Sequence, residues 1–135
     1  MMKRLSILVV EDEAMIAFLL SLVLEGLGHE ICAIEGDEAG AVAAARRCRP
    51  DLMIVDEHLG HGSGLAVVEE VLQEGPTPHI FVSGDTARIL KLMPGAIVLE
   101  KPYFEADLEQ AIWRAVASPL VVSPIDSMQS VARSF

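Results

Sequence analysis

Short apolar runs alternate with longer segments of helical periodicity along most of this sequence. The short runs are rich in β-branched residues and are bounded by acids, glycines or prolines, which predicts strands that are buried on both faces. Alternation of such strands with helices is typical of βα units around a parallel sheet. The predicted strands are Leu5–Val10, Ile31–Ile34, Leu52–Val55, Ile80–Ser83 and Ala96–Leu99. We therefore expect an α/β domain on a parallel sheet.

Apolar residues that recur every three or four positions predict the helices between these strands. The predicted helices are Ala14–Leu27, Glu38–Cys48, Leu65–Glu74 and Phe104–Ala117, with a helix of about two turns inside Gly84–Gly95. Asp37 is a suitable N-cap for the second helix. The apolar face of the first helix is formed by Met15, Phe18, Leu19, Leu22 and Val23. We expect this face, and Trp113 in the last helix, to lie in the core or in an interface.

The length of 135 residues fits one domain, which we expect to occupy residues 1–117. Residues 118–135 contain two prolines and several serines, and predict a tail with no output domain behind it. The basic start, Met1–Leu5, is followed by an apolar stretch that Glu11–Glu13 interrupts too early for a secretion signal. Because no uncharged apolar run could span a bilayer, we expect a soluble, cytoplasmic protein.

The formal net charge is −10 and the pI is about 4.7. An acidic surface repels the phosphates of nucleic acids and of anionic lipids. We therefore expect no direct nucleic-acid binding and no membrane insertion. Cys32 and Cys48 lie in a predicted strand and helix and show no zinc-site spacing, which indicates buried, reduced thiols.

Polar residues collect where the predicted strands end. Glu11 and Asp12 follow the first strand, Asp56 follows the third, Ser83 ends the fourth, and Lys101 comes soon after the fifth. In an open parallel sheet these carboxyl ends form the crevice in which ligands bind. The sequence thus predicts a crevice that holds several carboxylates, a hydroxyl and an ammonium.

Such a set suits phosphoryl transfer to a carboxylate. Crowded carboxylates repel one another unless a cation neutralises them, and oxygen ligands favour Mg²⁺. With that ion bound, Asp56 can remain an ionised nucleophile, while Lys101 and Ser83 contact the phosphoryl oxygens. The glycine-rich loop of Gly60, Gly62 and Gly64 lets the backbone turn closely around this site.

The chain resembles a response-regulator receiver domain over residues 4–117. The resemblance is carried, in order, by Ile7–Glu13, Asp51–Asp56, Gly64–Leu65, Phe81–Gly84 and Lys101–Pro102. It implies a flavodoxin-like, doubly wound sheet of five parallel strands in the order 2-1-3-4-5, flanked by helices. It also implies a cis peptide between Lys101 and Pro102.

The resemblance further implies the role of each residue in the crevice. Asp56 would be the phospho-acceptor, and Asp12 and Asp56 would hold Mg²⁺ together with the backbone carbonyl of His58. Glu11 would support the ion through water, and Ser83 and Lys101 would contact the phosphoryl group. The implied donor is a histidine kinase or phosphotransfer protein, the reader of the signal is another protein, and the chain would be a monomer or a weak homodimer.

Three departures from the family pattern change what is expected downstream of Asp56. Gly60 replaces a common proline and should loosen the loop, and Val98 replaces the aromatic residue that reports phosphorylation in many receivers. The interval from Ser83 to Lys101 is short, which shrinks the fourth helix, the usual output surface. This shortening, with Lys101–Phe104, is similar to stand-alone receivers that are paired with histidine kinases in stress and envelope signalling.

Two other functions remain open from the sequence. A phosphatase with an aspartyl intermediate of the haloacid-dehalogenase type would carry a second aspartate two residues after the nucleophile, where this chain has His58. A degenerate receiver would act only as an interaction module, although the complete set of acids, hydroxyl and lysine argues against it. His58 and His61 lie in a loop, where histidines are usually solvated, so a transition-metal site is the less favoured interpretation.

Overall fold

A computed structural model describes residues 3–117, so the predicted tail at 118–135 lies outside the described residues. The strands are β1 (Ser6–Val10), β2 (Glu30–Glu35), β3 (Leu52–Asp56), β4 (His58–Leu59), β5 (Gly62–Ser63), β6 (His79–Ser83) and β7 (Val98–Glu100). The helices are α1 (Ala14–Gly26), α2 (Glu38–Cys48), α3 (Gly64–Leu72), α4 (Thr86–Leu92) and α5 (Glu105–Ala117).

Five of these strands form one parallel sheet in the order β2-β1-β3-β6-β7. Counted along that sheet alone, this is the order 2-1-3-4-5, which confirms the predicted flavodoxin-like fold. The strands β4 and β5 form a separate antiparallel hairpin inside the glycine-rich loop, which the sequence pattern did not predict. The peptide between Lys101 and Pro102 is cis, as the family resemblance implied.

The core lies on both faces of the sheet. Alternate residues of β1 and β3 point to opposite sides, so that Val9 and Ile54 join one apolar cluster while Leu8 and Met53 join the other. The first cluster is completed by α1 and α5, and the second by α2, α3 and α4. Every residue of β3 is buried because it is the central strand.

Side-chain caps begin the helices that border the crevice. Asp37 accepts a hydrogen bond from the Gly40 N–H at 2.7 Å, which confirms the predicted N-cap of α2. Ser63 caps α3 in the same way, and Asp85 caps α4. The fourth helix has seven residues, which confirms the prediction of about two turns.

Most of the predicted apolar face of α1 lies outside the core. Its buried residues are Ala17, Leu20, Ser21 and Leu24, whereas the residues Met15, Phe18, Leu19 and Leu22 are exposed. Because nearly every position of this helix is apolar, its periodicity does not identify which side faces the sheet. Of the predicted face, only Val23 packs against the core, where it is half-buried. Trp113 on α5 is exposed as well, and the alternative that these residues form an interface stays a prediction.

The expectation that all strands lie in the interior is wrong for β2. This strand forms one edge of the sheet, and most of its residues are only half-buried. Cys32 on β2 and Cys48 at the end of α2 are free thiols and are likewise half-buried. No helix within residues 3–117 has the length and apolar character needed to cross a membrane.

Candidate functional site

The carboxyl ends of β1, β3, β6 and β7 meet at one edge of the sheet, as the sequence predicted. The register places Val10 beside Val55, Asp56 beside Val82, and Ser83 beside Glu100. The residues that directly follow β1 and β7, and the last residues of β3 and β6, therefore surround one crevice.

Asp56 lies at the centre of this crevice and is buried. Its Oδ2 accepts a hydrogen bond from Lys101 Nζ at 2.6 Å, and its Oδ1 accepts one from the His58 N–H at 2.8 Å. Burial alone would lower the pKa of Lys101, but the hydrogen bond and charge of Asp56, with the charges of Glu11 and Glu13, outweigh it and raise that pKa. Lys101 is therefore a permanent positive charge beside the carboxylate.

Glu11 and Asp12 bring two more carboxylates to the same place. Glu11 is buried and its Oε2 accepts a hydrogen bond from the Glu13 N–H at 3.1 Å. Burial, followed by the neighbouring carboxyls of Asp56 and Asp12, raises the pKa of Glu11 to about 7 in spite of that bond. The site thus contains more negative charge than Lys101 can balance.

The donor set at this site is made of oxygen atoms. Within residues 3–117, no three His, Cys, Asp or Glu side chains are gathered closely enough to enclose a metal ion by themselves. Mg²⁺ commonly keeps several water ligands and needs only one or two carboxylates from the protein. Two carboxylates, a backbone carbonyl and water are therefore a chemically suitable set, and the excess negative charge favours a divalent cation.

The loop after Asp56 approaches the site through glycines. Gly60 has φ = 52°, a left-handed conformation that proline cannot adopt, which explains why the proline common at this position is missing. A Cβ on Gly64 would lie 2.1 Å from the backbone oxygen of Asp56, so that only glycine fits there. The loop is tied to α2 by a hydrogen bond of 2.7 Å from the Ser63 N–H to Glu38 Oε1.

The hydroxyl of Ser83 is engaged away from Asp56. It donates to Glu57 Oε1 at 2.6 Å and accepts from the Asp85 N–H at 2.8 Å. The other carboxylate oxygen of Glu57 pairs with the guanidinium of Arg88. Sequence reasoning named Ser83 but missed Glu57 and Arg88. A second acid immediately after Asp56, at the end of a buried strand, was the available signal for Glu57.

The side chains of the two loop histidines are exposed to solvent. The side chain of His58 is exposed, with its Nε2 3.9 Å from Glu57 Oε1, and His61 is exposed as well. His58 instead contributes its backbone N–H to Asp56. The solvated interpretation of these two imidazoles is therefore the one that the geometry favours.

Comparisons with curated proteins point to one family. The family model of the response regulator receiver domain matches residues 7–112. The phyllosphere-induced regulator PhyR of Methylorubrum extorquens is 33% identical over 114 residues, which are 82% of this chain and 43% of PhyR. Protein-glutamate methylesterase/protein-glutamine glutaminase 2 of Anaeromyxobacter dehalogenans is 32% identical over 111 residues, 78% of this chain and 33% of that enzyme. The chain thus spans less than half the length of either relative.

Solved structures agree with that result. The receiver domain of Erythrobacter litoralis PhyR is similar with a TM-score of 0.78 and 28% identity, covering 88% of this chain and 97% of that domain. The receiver domain of a Pseudomonas aeruginosa sensor histidine kinase, solved with magnesium coordinated in its active-site cleft, gives a TM-score of 0.73. It covers 86% of this chain and all of that domain, and its 23% identity shows the fold alone. From its sheet order, its crevice and these matches, the chain belongs to the response regulator receiver domain family.

Proposed function

We propose that this domain accepts a phosphoryl group on Asp56 from the phosphohistidine of a histidine kinase or phosphotransfer protein. The observation that carries the proposal is the 2.6 Å contact between Lys101 Nζ and Asp56 Oδ2 in a crevice that also holds Glu11. A buried carboxylate that is paired with one lysine and crowded by other acids is placed to act as a nucleophile toward a phosphoryl group.

Mg²⁺ fits this site as the partner of the acids. Asp12, Asp56 and the backbone carbonyl of His58 would hold it, and Glu11 would support it through water. When bound, the ion would neutralise charge on the carboxylates and on the phosphoryl oxygens. The magnesium-containing receiver domain from Pseudomonas aeruginosa is a precedent within the fold.

The residues of the chain have defined tasks in the proposed transfer. A carboxylate oxygen of Asp56 forms a bond to phosphorus while the bond from phosphorus to the donor's imidazole nitrogen breaks, and the electron pair stays on that nitrogen. Lys101 offsets the negative charge on the phosphoryl oxygens, and the His58 N–H fixes the orientation of the Asp56 carboxylate. The Ser83 hydroxyl would then donate to a phosphoryl oxygen.

Acetyl phosphate with Mg²⁺ tests the proposal without knowledge of the kinase. The intact mass of the protein should increase by one phosphoryl group, and Asp56→Asn should abolish the increase. Asp51→Asn is a matched control, since Asp51 is exposed and directly precedes β3, at the end of the strand away from Asp56. Equal labelling of the wild type and Asp56→Asn would refute the assignment of the acceptor.

The proposed output is contact with another protein whose affinity depends on phosphorylation. The net charge of −10 opposes direct binding to nucleic acid, and the similarity to PhyR, a regulator, favours a signalling role over turnover of a substrate. The domain is therefore proposed to be a phospho-acceptor and not an enzyme with its own substrate. Multiple turnover of a phosphomonoester by the purified domain would contradict this.

A further inference from the structure

Glu57 is a buried acid that contacts two other structural elements. Only 2% of its side chain is exposed. One carboxylate oxygen accepts a hydrogen bond from the hydroxyl of Ser83, at the end of β6. The other pairs with the guanidinium of Arg88 on α4. Its backbone N–H donates to Val82 O at 2.9 Å and its carbonyl accepts from the Gly64 N–H at 2.9 Å, so its position is fixed. Ser83 and Arg88 are therefore the groups that can change around it.

The Ser83 hydroxyl cannot serve Glu57 and a phosphoryl group together. A hydroxyl has one proton to donate, and here that proton is directed at Glu57 Oε1, 2.6 Å away. To donate to a phosphoryl oxygen on Asp56, the hydroxyl must first leave Glu57. The two hydrogen bonds are thus mutually exclusive, and Glu57 competes with the phosphoryl group for Ser83.

Both hydrogen bonds of the Ser83 hydroxyl lead to α4. The Asp85 N–H donates to the hydroxyl, and Asp85 Oδ1 accepts from the Arg88 N–H at 3.1 Å as the N-cap of that helix. Glu57 reaches the same helix through the Arg88 side chain. If the hydroxyl turns toward Asp56, the N–H of Asp85, directly before α4, loses its acceptor. Glu57, the partner of Arg88, then loses the hydrogen bond that it accepts from Ser83.

We propose that Glu57 is a positioning residue that keeps the Ser83 hydroxyl away from Asp56 before phosphorylation, and that Arg88 transmits its release to α4. The proposal rests on the proposed function of Asp56. It supplies a route for the signal that needs no aromatic residue at Val98, because Ser83, Glu57 and Arg88 connect the acceptor site to α4 by direct contacts.

A double-mutant cycle tests the first half of this proposal. The Mg²⁺-dependent affinity for beryllofluoride, a phosphoryl mimic, is measured for the wild type, Glu57→Gln, Ser83→Ala and the double variant. Gln keeps the shape of Glu57 but is a weaker, uncharged acceptor, so Glu57→Gln should tighten binding about tenfold when Ser83 is present. In the Ser83→Ala background the same change should have a several-fold smaller effect.

The outcomes of the cycle separate this proposal from the proposed function. An equal effect of Glu57→Gln in both backgrounds would mean that the acid acts only through its charge, which would overturn the competition for Ser83 while leaving Asp56 as the acceptor. If the wild type showed no beryllofluoride binding that Asp56→Asn removes, the proposed function would fail and this inference with it.

Amide hydrogen exchange of α4 tests the second half, and it does not depend on whether Glu57→Gln folds. In the wild type, beryllofluoride should increase the exchange of residues 86–92 by severalfold. In Arg88→Gln the exchange of this helix should already be fast, and beryllofluoride should not change it. Arg46→Gln is the matched control, because Arg46 on α2 pairs with the exposed Glu74 and should leave the response intact. A response of Arg88→Gln equal to that of the wild type would overturn the coupling through Arg88.

Discussion

Lys101 Nζ lies 2.6 Å from Asp56 Oδ2, although β3, which ends in Asp56, and β7, which precedes Lys101, are not neighbours in the sheet. Asp56 ends β3 and Lys101 follows β7, and β6 runs between them. The lysine side chain therefore crosses the end of β6 to reach the carboxylate. The Lys101 N–H also donates to Ser83 O at 2.9 Å, which attaches the segment after β7 to the end of β6.

Replacement of Lys101 should slow phosphorylation. We expect Lys101→Met to reduce the rate of labelling by acetyl phosphate about 100-fold, because the positive charge that offsets the phosphoryl oxygens is lost. The rate is measured by mass spectrometry against time. Lys91→Met, which removes an exposed lysine from α4, should label at the wild-type rate. Unchanged labelling of Lys101→Met would contradict the role of the ammonium.

Replacement of Glu11 should separate stability from metal binding. Glu11→Gln removes one of three crowded carboxylates, so we expect the free energy of unfolding without metal to rise by about 1 kcal/mol. The affinity for Mg²⁺, measured by calorimetry, should fall about tenfold because a supporting carboxylate is lost. Glu25→Gln, which changes an exposed side chain at the far end of α1, should alter neither quantity. A Mg²⁺ affinity equal to that of the wild type would contradict the proposed support of the ion by Glu11.

Two glycines should respond in opposite ways to the same substitution. Gly64→Ala places a Cβ 2.1 Å from the backbone oxygen of Asp56, and we expect it to cost more than about 2 kcal/mol of unfolding free energy. Gly26→Ala, at the last position of α1, meets nothing within 4 Å and should stabilise the helix by about 0.5 kcal/mol. Chemical denaturation measures both changes. Similar stabilities for the two variants would contradict the close approach at Gly64.

His29 should make stability depend on pH. Its Nδ1 accepts a hydrogen bond from the Leu5 N–H at 3.1 Å, which requires neutral imidazole, and burial lowers its pKa from 6.5. The contribution to stability is therefore present above about pH 6.5 and is lost as the pH falls from there toward the lower folded pKa. The raised pKa of Glu11 acts in the opposite direction, because it favours the folded state as the pH falls from 7. The His29 contribution is therefore measured as the difference in unfolding free energy between the wild type and His29→Gln, by urea denaturation at pH 7 and at pH 5.

The variant His29→Gln should lack the His29 contribution, so that acidification from pH 7 to pH 5 is less destabilising for it than for the wild type. Burial also lowers the pKa of His79, so that residue contributes a loss in the same direction and remains in the variant. His61→Gln, which changes an exposed loop residue, should keep the wild-type slope. A pH dependence of His29→Gln equal to that of the wild type would show that His29 does not contribute to it.

The two faces of α1 should differ in their effect on stability. Leu24 is fully buried, so Leu24→Ala should cost about 2–5 kcal/mol. Phe18 is 55% exposed, and Phe18→Ala should cost less than about 1 kcal/mol. Thermal and urea denaturation of the two variants measure the difference. A large loss for Phe18→Ala would mean that this face is covered within the folded chain.

The fold and the centre of the crevice were predictable because their signals are local. A short apolar run that ends in an acid identifies both the strand and the position of Asp56 at its end. Parallel strands place all their carboxyl ends together, so separate local signals at Asp12, Asp56 and Lys101 combine into one site without any knowledge of loop geometry.

The features that could not be predicted depend on which side chains from distant parts of the sequence come into contact in the fold. Glu57 and Arg88 are 31 residues apart, and nothing in the local pattern connects a charged residue after β3 with one in α4. The orientation of α1 fails for a different reason, since its apolar residues surround the helix and only packing against the sheet decides which of them are covered.

The edge strand β2 has a consequence for contacts between molecules. An edge strand has backbone groups that a strand from a second molecule could pair with, and Ile34 on β2 is 44% exposed. The strand begins with Glu30 and ends with Glu35. Two copies brought together at this edge would place like charges close to one another, in a protein that already carries an excess of acids. The same acids that border the half-buried strand therefore oppose the growth of the sheet into aggregates.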